Sequence, residues 1–489
     1  MIKKILSNSA VYGLAPQIPQ VANILILPII TQDLSRLDYG VAGIIYSYLA
    51  ALSAIHLLGT KIVLSNGFYH YRKQYKWLWR QMHGFISLWS LFYAFLMGVI
   101  IYWVVPEEAV ENRWAIVLMH TIPSALLNAT TEYGILHHQV AQKPGPIAFQ
   151  MIVVGFITIG INLWLISFEK MGYMGWFWSR FIGSVLSFLF FSYFLYYKLK
   201  LLPIFNFKWR LIKDKMKVAF PMIPHYYGSY LLTSSDRIVM DLYQVNIQKI
   251  GIYNLAGNFG NYFNAFADGT GMATGPVIYE YFRNLKRRHA FKLSRDLIFI
   301  WQAGMMLFSF LVCLWFKEIF SILINNPDLQ DAYSLAIIMI MGFNYRPLYS
   351  GFAVKLFYYE KAGRIWLVSF GAGILNVVLN IIFIPIYGIE AAAITTFVAF
   401  LFLGLAGFFI KEYREMNDVN YFPFHWLIGI IIATVIVYFL KDIFWLYKIG
   451  ISLFLLTVSL IWILKNKELI RSFDPKQSKQ EEDKEKNQS

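Results

Sequence analysis

Residues 365–410 read IWLVSFGAGILNVVLNIIFIPIYGIEAAAITTFVAFLFLGLAGFFI, with a single charged residue, Glu390, in the whole stretch. A helix needs about 20 mostly apolar residues to cross the hydrocarbon core of a bilayer. The stretch therefore holds two crossings, near 365–385 and 388–410, reversed at Tyr387-Gly388. Moving outward from it in both directions, similar apolar runs separated by short polar breaks recur along the chain. They predict further spans near 10–30, 39–60, 84–105, 114–134, 146–167, 174–197, 217–240, 251–275, 297–316, 334–354, 424–440 and 446–464. The sequence thus predicts an all-α integral membrane protein of about fourteen transmembrane helices.

Composition agrees. The 489 residues are 58% hydrophobic and 15% charged, against roughly 25% charged in ordinary soluble domains. Soluble fold classes are excluded on this ground. The one cysteine, Cys313, sits in an apolar run, so neither a disulfide framework nor a cysteine-based metal site is expected. The first apolar stretch starts near Ala10, contains Pro16, Pro19 and Pro28, lacks a small-residue cleavage pattern, and reads as a retained span.

The net charge of +15 is a topology signal. Basic loops stay on the cytoplasmic side. One face carries Lys3-Lys4, the 61–83 loop, seven basic residues in the 198–217 loop, six in the 283–295 loop, Lys143, Lys355, Lys361, Arg364, Lys411, Arg414 and the C-terminal tail, together 33 of the 43 Lys and Arg. The opposite face carries seven: Arg36, Arg113, Lys170, Lys249, Lys317, Lys441 and Lys448. Both termini are predicted cytoplasmic in the cell inner membrane, and no nucleic-acid partner is implied. The tail from Ser472 to Ser489, rich in Lys, Glu, Asp and Gln, is expected to be disordered and solvated.

An internal repeat is visible at a constant offset. Tyr39-Gly40 opens the second span and Gly251-Ile252-Tyr253 the eighth, 211 residues apart at the glycines. Asn162 with Gly172 follows the fifth span, and Asn380 with Gly388 the eleventh, at offsets of 218 and 216. Two parallel, pseudo-symmetric six-helix lobes follow, over 1–200 and 201–411, with two appended helices over 412–471 and the tail over 472–489.

Ser9-Ala10-Val11-Tyr12-Gly13, Leu27-Pro28, Thr31 and Asp38-Tyr39-Gly40 resemble the N-terminal pattern of a known family. Phe220-Pro221-Met222-Ile223-Pro224, Ser235-Asp236-Arg237 and Gly251-Ile252-Tyr253 resemble its middle, and Leu379-Asn380-Ile381, Pro385, Tyr387-Gly388-Ile389 and Ala391-Ala392-Ala393 its later part. The family is the Wzx-type polysaccharide flippases of the multidrug/oligosaccharidyl-lipid/polysaccharide exporter superfamily. The resemblance implies two helical bundles around a cavity with alternating access. It further implies export of an undecaprenyl-diphosphate-linked oligosaccharide, such as an O-antigen unit, by ion antiport, beside a partner polymerase or ligase in the same membrane.

Charges inside spans are costly and mark candidate sites. Arg180, Arg237 and Arg346 are candidates for binding the lipid diphosphate, because a guanidinium fork pairs bidentately with phosphate oxygens. Each also has a structural reading, as the partner of a nearby carboxylate. Asp236, Asp268 and Glu132 are candidates for H+ or Na+ coupling, with a solvated helix end as the alternative for Glu132 and Asp268. Asn254, Asn258, Asn261 and Asn264 recur at helical spacing and form a polar stripe suited to sugar hydroxyls or to interhelical hydrogen bonds. Pro16 and Pro19, with Gln17, Gln20 and Asn23, predict a bent first helix. His137-His138 and the 68–83 segment, with Trp77 and Trp79, are expected in cytoplasmic loops as interfacial anchors. No cofactor or metal is called for. Three rival functions remain open: a multidrug exporter of the same superfamily, a flippase for the peptidoglycan precursor, and a membrane-embedded ligase or polymerase. The last would need acid–base groups that the outward loop near 317–333, with Lys317, Glu318, Asp328 and Asp331 and no histidine, does not supply.

Overall fold

The structure is a computed structural model that describes residue 15, residues 17–70, 74–416 and 419–467, and residue 473. Lys3, Lys4, the 9–13 pattern, Pro16, and the tail from Ser472 apart from Phe473 lie outside the described residues. The described chain is helical throughout. Its helices are α1 Gln17–Ile30, α2 Arg36–His56, α3 Lys61–His70, α4 Tyr75–Val104, α5 Arg113–Ile122, α6 Asn128–Val140, α7 Pro144–Leu163 and α8 Tyr173–Ser192. They continue as α9 Trp209–Ala219, α10 Ile223–Thr233, α11 Ser235–Leu242, α12 Ile247–Asn284, α13 Arg287–Leu314, α14 Phe316–Leu323, α15 Ala332–Gly342 and α16 Tyr345–Tyr358. The last are α17 Ile365–Tyr387, α18 Ile389–Ala406, α19 Lys411–Met416, α20 Pro423–Leu440 and α21 Trp445–Lys465.

Nine described helical segments are long and apolar enough to cross a membrane, among them Tyr75–Val104, Ile365–Tyr387 and Trp445–Lys465. Elsewhere the predicted spans are interrupted or polar. The 114–134 span is α5 and α6 joined by a π-helical turn over Pro123–Leu127, where Pro123 lacks the N–H that a regular turn requires. The 334–354 span breaks at Phe343-Asn344 between α15 and α16. There Gln302 Nε2 donates to the Asn344 carbonyl at 3.0 Å, and the Asn344 amide donates to Ser309 Oγ at 2.9 Å. A broken helix is tolerated at membrane depth because side chains satisfy the backbone groups that it frees.

The chain divides into two compact units, Met1–Leu255 with Leu323–Gln330, and Ala256–Ile322 with Asp331–Ser489. In the first, α4 is the central helix. Met82 and Ile86 pack with Leu64, Tyr133 and Leu195 toward one end, and Met97 and Ile101 pack with Val41, Ile45 and Phe177 toward the other. In the second, the α17–α18 hairpin packs on α15 and α16, and α13 packs on α16 and α20.

The repeat glycines have a physical explanation. Gly40 and Gly251 lie where α2 and α12 begin, and each admits the other helix's backbone. A Cβ on Gly40 would sit 2.3 Å from the Ile247 carbonyl oxygen, and one on Gly251 would sit 1.9 Å from that of Arg36. Gly172 and Gly388 precede α8 and α18 with φ of +54° and +68°, a conformation that other residues rarely adopt. The repeat asparagines match as well: Ser179 Oγ donates to Asn162 Oδ1 across α7 and α8, and Thr395 Oγ1 donates to Asn380 Oδ1 across α17 and α18.

Candidate substrate cavity and the charges within the spans

A cavity of about 350 Å³ opens within the first unit among α2, α4, α5, α6 and α8. Its polar wall is built helix by helix: Ser53 and His56 from α2, His120 from α5, Asn128, Thr131 and Glu132 from α6, and Arg180 and Ser184 from α8. The π-helical turn at Pro123 supplies Ser124 and widens the α5–α6 helix beside the cavity, as such turns commonly do at functional sites. Phe177, Phe181, Met97 and Met119 supply apolar surface.

Arg180 is exposed to this space, its guanidinium stacked over the Tyr46 ring at 4.8 Å, and it is in no ion pair among the described residues. Glu132, in the same cavity, is already engaged by Lys61 at 2.7 Å. His120 Nδ1 meets the Ile116 carbonyl oxygen at 2.8 Å, and His56 Nε2 is buried without a hydrogen-bond partner among the described residues. The cavity wall thus holds two imidazoles and one guanidinium that is in no ion pair among the described residues.

Arg237 and Asp236 lie elsewhere, within a packed joint between α11, α12 and α2. Arg237 Nε donates to Asn254 Oδ1 at 2.9 Å and its Nη1 to the Thr233 carbonyl at 3.1 Å. The Tyr253 hydroxyl donates to Asp236, and Asn254 Nδ2 passes the network on to the Tyr39 carbonyl at 3.1 Å. Asp236 and Arg237 are both buried. Near them, the Tyr48 hydroxyl donates to Asp241 at 2.8 Å, a second tie between α2 and α11.

The second unit holds the third arginine. Arg346 Nη2 lies 2.9 Å from Asp268 Oδ1 and donates to Asn264 Oδ1 at 2.9 Å, with its guanidinium 5.2 Å from the Tyr345 ring centre. Its Nε is buried and has no hydrogen-bond partner among the described residues. The asparagine stripe of α12 therefore divides: Asn254 serves the Arg237 joint, Asn264 holds Arg346, Asn258 is half-buried and Asn261 exposed. Neither Asn258 nor Asn261 lines the cavity described above.

Two expectations are corrected. His137 and His138 are buried in α6 rather than exposed in a loop, and Trp79 is buried in α4. Trp79 and His137 sit edge to face at 5.5 Å inside the hydrophobic cluster of the first unit. Trp77 is exposed.

The cavity residues other than Arg180 and Glu132 escape a reading of the sequence. Five helices supply them, and a lone Ser, Thr, Asn or His per span carries no periodic signal.

No protein-family model matches the chain, and no curated protein matches it. Solved structures do. The lipid II flippase MurJ in an inward closed conformation aligns with a TM-score of 0.66 at 14% identity, covering 89% of this chain and 98% of that one. An inward-facing multidrug resistance MATE family transporter of the MOP superfamily aligns at 0.57 and 14%, covering 83% and 94%. A Vibrio cholerae MATE transporter in a bent form aligns at 0.53 and 12%, covering 88% and 98%. At these identities the likeness is one of fold. The nine membrane-length helices and these alignments make the chain a multi-pass membrane protein with the fold shared by MurJ and the MATE transporters.

Proposed function

We propose that the protein is a flippase, not an enzyme, that carries an undecaprenyl-diphosphate-linked oligosaccharide across the cell inner membrane by alternating access, in the manner of the Wzx-type flippases. The observation that carries the reading is Arg180. It stands in a polar cavity within an otherwise apolar span and pairs with no carboxylate among the described residues, while the one acidic residue lining that cavity is engaged by Lys61. A cationic, partly desolvated site favours a diphosphate over a cationic drug. Arg346 is the second anchor. Its guanidinium is held by Asp268, so a proton or Na+ arriving at Asp268 releases it, which links ion and substrate. Asn258 and Asn261 contribute sugar contacts. Arg237, Asp236 and Asn254 act through the α2–α11–α12 joint, and Glu132 through its pair with Lys61. The lobes over 1–200 and 201–411 rock as bodies, both termini are cytoplasmic, and a polymerase or ligase receives the product. The structural likeness to a lipid II flippase agrees with a lipid-linked cargo.

The test is binding. Purified protein is titrated with an undecaprenyl-diphosphate oligosaccharide and with a cationic dye, as wild type and as Arg180→Gln. The reading requires lipid-diphosphate binding that Arg180→Gln weakens at least tenfold. Binding of the dye alone would move the protein to the drug exporters.

A further inference from the structure

The segment 198–220 carries seven basic residues and one acidic residue, Asp214. The topology argument uses only their sign, whereas the structure gives them a fixed geometry. The stretch ahead of α9 is stapled to the start of α4. Lys76 Nζ donates to the Leu199 carbonyl at 3.1 Å, Arg80 Nε to that of Leu202 at 2.9 Å, and the Ile204 and Lys208 amides donate to the Arg80 carbonyl and to Gln81 Oε1 at 2.9 and 2.7 Å. Gly84 makes room for this crossing, since a Cβ there would meet the Ile204 carbonyl oxygen at 2.0 Å. Helix α9 then buries Ile212, Met216 and Ala219 in the hydrophobic cluster of the first unit. At 100° per residue, Arg210, Lys213 and Lys217 fall on the opposite face, and all three are exposed; Lys217 shares that face with Asp214, 3.2 Å from its Nζ, so the face carries a net charge of two. Large apolar side chains occur in the same segment: Leu202, Phe205, Trp209, Val218 and Phe220 are each about half exposed, and Lys213 Nζ lies 5.7 Å from the Trp209 ring centre.

We propose that this face of α9 is a docking surface for anionic glycerophospholipid headgroups. The helix's own apolar stripe is already buried in protein, so α9 does not insert as a free amphipathic helix. It presents cations in a segment whose exposed apolar side chains suit the boundary between headgroups and acyl chains. A solvated face accounts for the lysines but not for five exposed large apolar residues in the same segment. Charge complementarity selects acidic lipids, each Lys or Arg near such a surface being worth about fivefold in binding. With the cytoplasmic termini proposed above, the leaflet is the cytoplasmic one. The surface itself does not depend on the transport reading.

The experiment uses the full chain in detergent, titrated with phosphatidylglycerol and with phosphatidylcholine, with bound lipids counted by native mass spectrometry. Three proteins are compared: wild type, the triple variant Arg210→Gln/Lys213→Gln/Lys217→Gln, and a control with the same charge change elsewhere, Arg283→Gln/Arg288→Gln/Lys292→Gln. All six side chains are exposed, so each variant is expected to melt with wild type. Wild type is expected to bind phosphatidylglycerol at least tenfold more tightly than phosphatidylcholine, with the preference falling as salt rises. The α9 variant is expected to lose most of that preference and the control to keep it. Equal binding of the two lipids by wild type overturns the proposal. So does an α9 variant that retains the preference.

Discussion

Replacing Gly172 by Ala tests the physical basis of the repeat. Gly172 has φ of +54° and ψ of −132°, so an alanine there carries backbone strain of roughly 1–2 kcal/mol. Its Cβ would also sit 2.3 Å from Asp38 Oδ1. That oxygen accepts the Tyr173 amide at 2.7 Å, while Oδ2 of the same carboxylate accepts the Ser35 amide at 2.7 Å in the capping box of α2. Asp38 therefore has little freedom to move aside. Losing its hydrogen bond to Tyr173, one made to a charged group, costs about 1.5–3 kcal/mol more. Gly388 has nearly the same backbone, φ +68° and ψ −141°, but its Cβ would meet only Glu390 Oε2 at 3.7 Å. Gly388→Ala thus carries the strain alone, about 1–2 kcal/mol. Reversible unfolding in detergent, followed by tryptophan fluorescence, should rank Gly172→Ala at about 3–4 kcal/mol of destabilisation, well above Gly388→Ala. Equal losses, or a neutral Gly172→Ala, would refute the close contact with Asp38.

Three further outcomes follow from the charge networks. Lys448 has no exposed side-chain surface and donates to both Glu318 oxygens, at 2.6 and 2.8 Å, and to the Lys441 carbonyl at 2.7 Å. Lys448→Met should cost ~3 kcal/mol, and adding Glu318→Gln should recover part of it, as a double-mutant cycle by thermal unfolding would read. Asp442, in the α20–α21 turn, resists burial that would raise its pKa, because hydrogen bonds from Lys317 and Tyr333 and the charges of Lys317 and Lys441 hold it down at about 2. Its folded-state pKa is depressed, so its contribution is complete above the unfolded value of about 4 and is lost as pH falls toward 2. At 45% side-chain exposure that contribution is at most about 1 kcal/mol, read as the difference in melting temperature between wild type and Asp442→Asn at pH 6 and pH 3. Finally, Arg237→Gln strips Asn254 of a buried donor and Asp236 of the guanidinium 3.9 Å from its Oδ1, and should destabilise the fold by about 3 kcal/mol. Arg180→Gln, which breaks no ion pair among the described residues and gives up only a contact with Tyr46, should cost about 1 kcal/mol or less.

The sequence makes some parts of this molecule legible and hides others for identifiable reasons. Crossings such as 365–385 and 388–410 are visible because the bilayer demands about 20 apolar residues whatever the fold. The break at Asn344 is not, because its repair by Gln302 and Ser309 comes from a helix 35 to 42 residues away in the chain. Gly172 and Gly388 announce themselves because a positive φ narrows the choice of residue type. The asparagine stripe of α12 is visible in the sequence as a periodicity, yet Asn254 and Asn264 have different partners, which only tertiary placement decides. The histidines of α6 look like loop residues by polarity. Packing inside an aromatic cluster keeps them buried instead.

Translocation itself is the most direct measurement of the central claim. The protein is reconstituted in liposomes with a fluorescent undecaprenyl-diphosphate oligosaccharide, and its appearance in the opposite leaflet is followed with and without an ion gradient. The account predicts gradient-dependent flipping by wild type and its abolition in Arg180→Gln at equal protein incorporation. Flipping that proceeds unchanged in Arg180→Gln would contradict it.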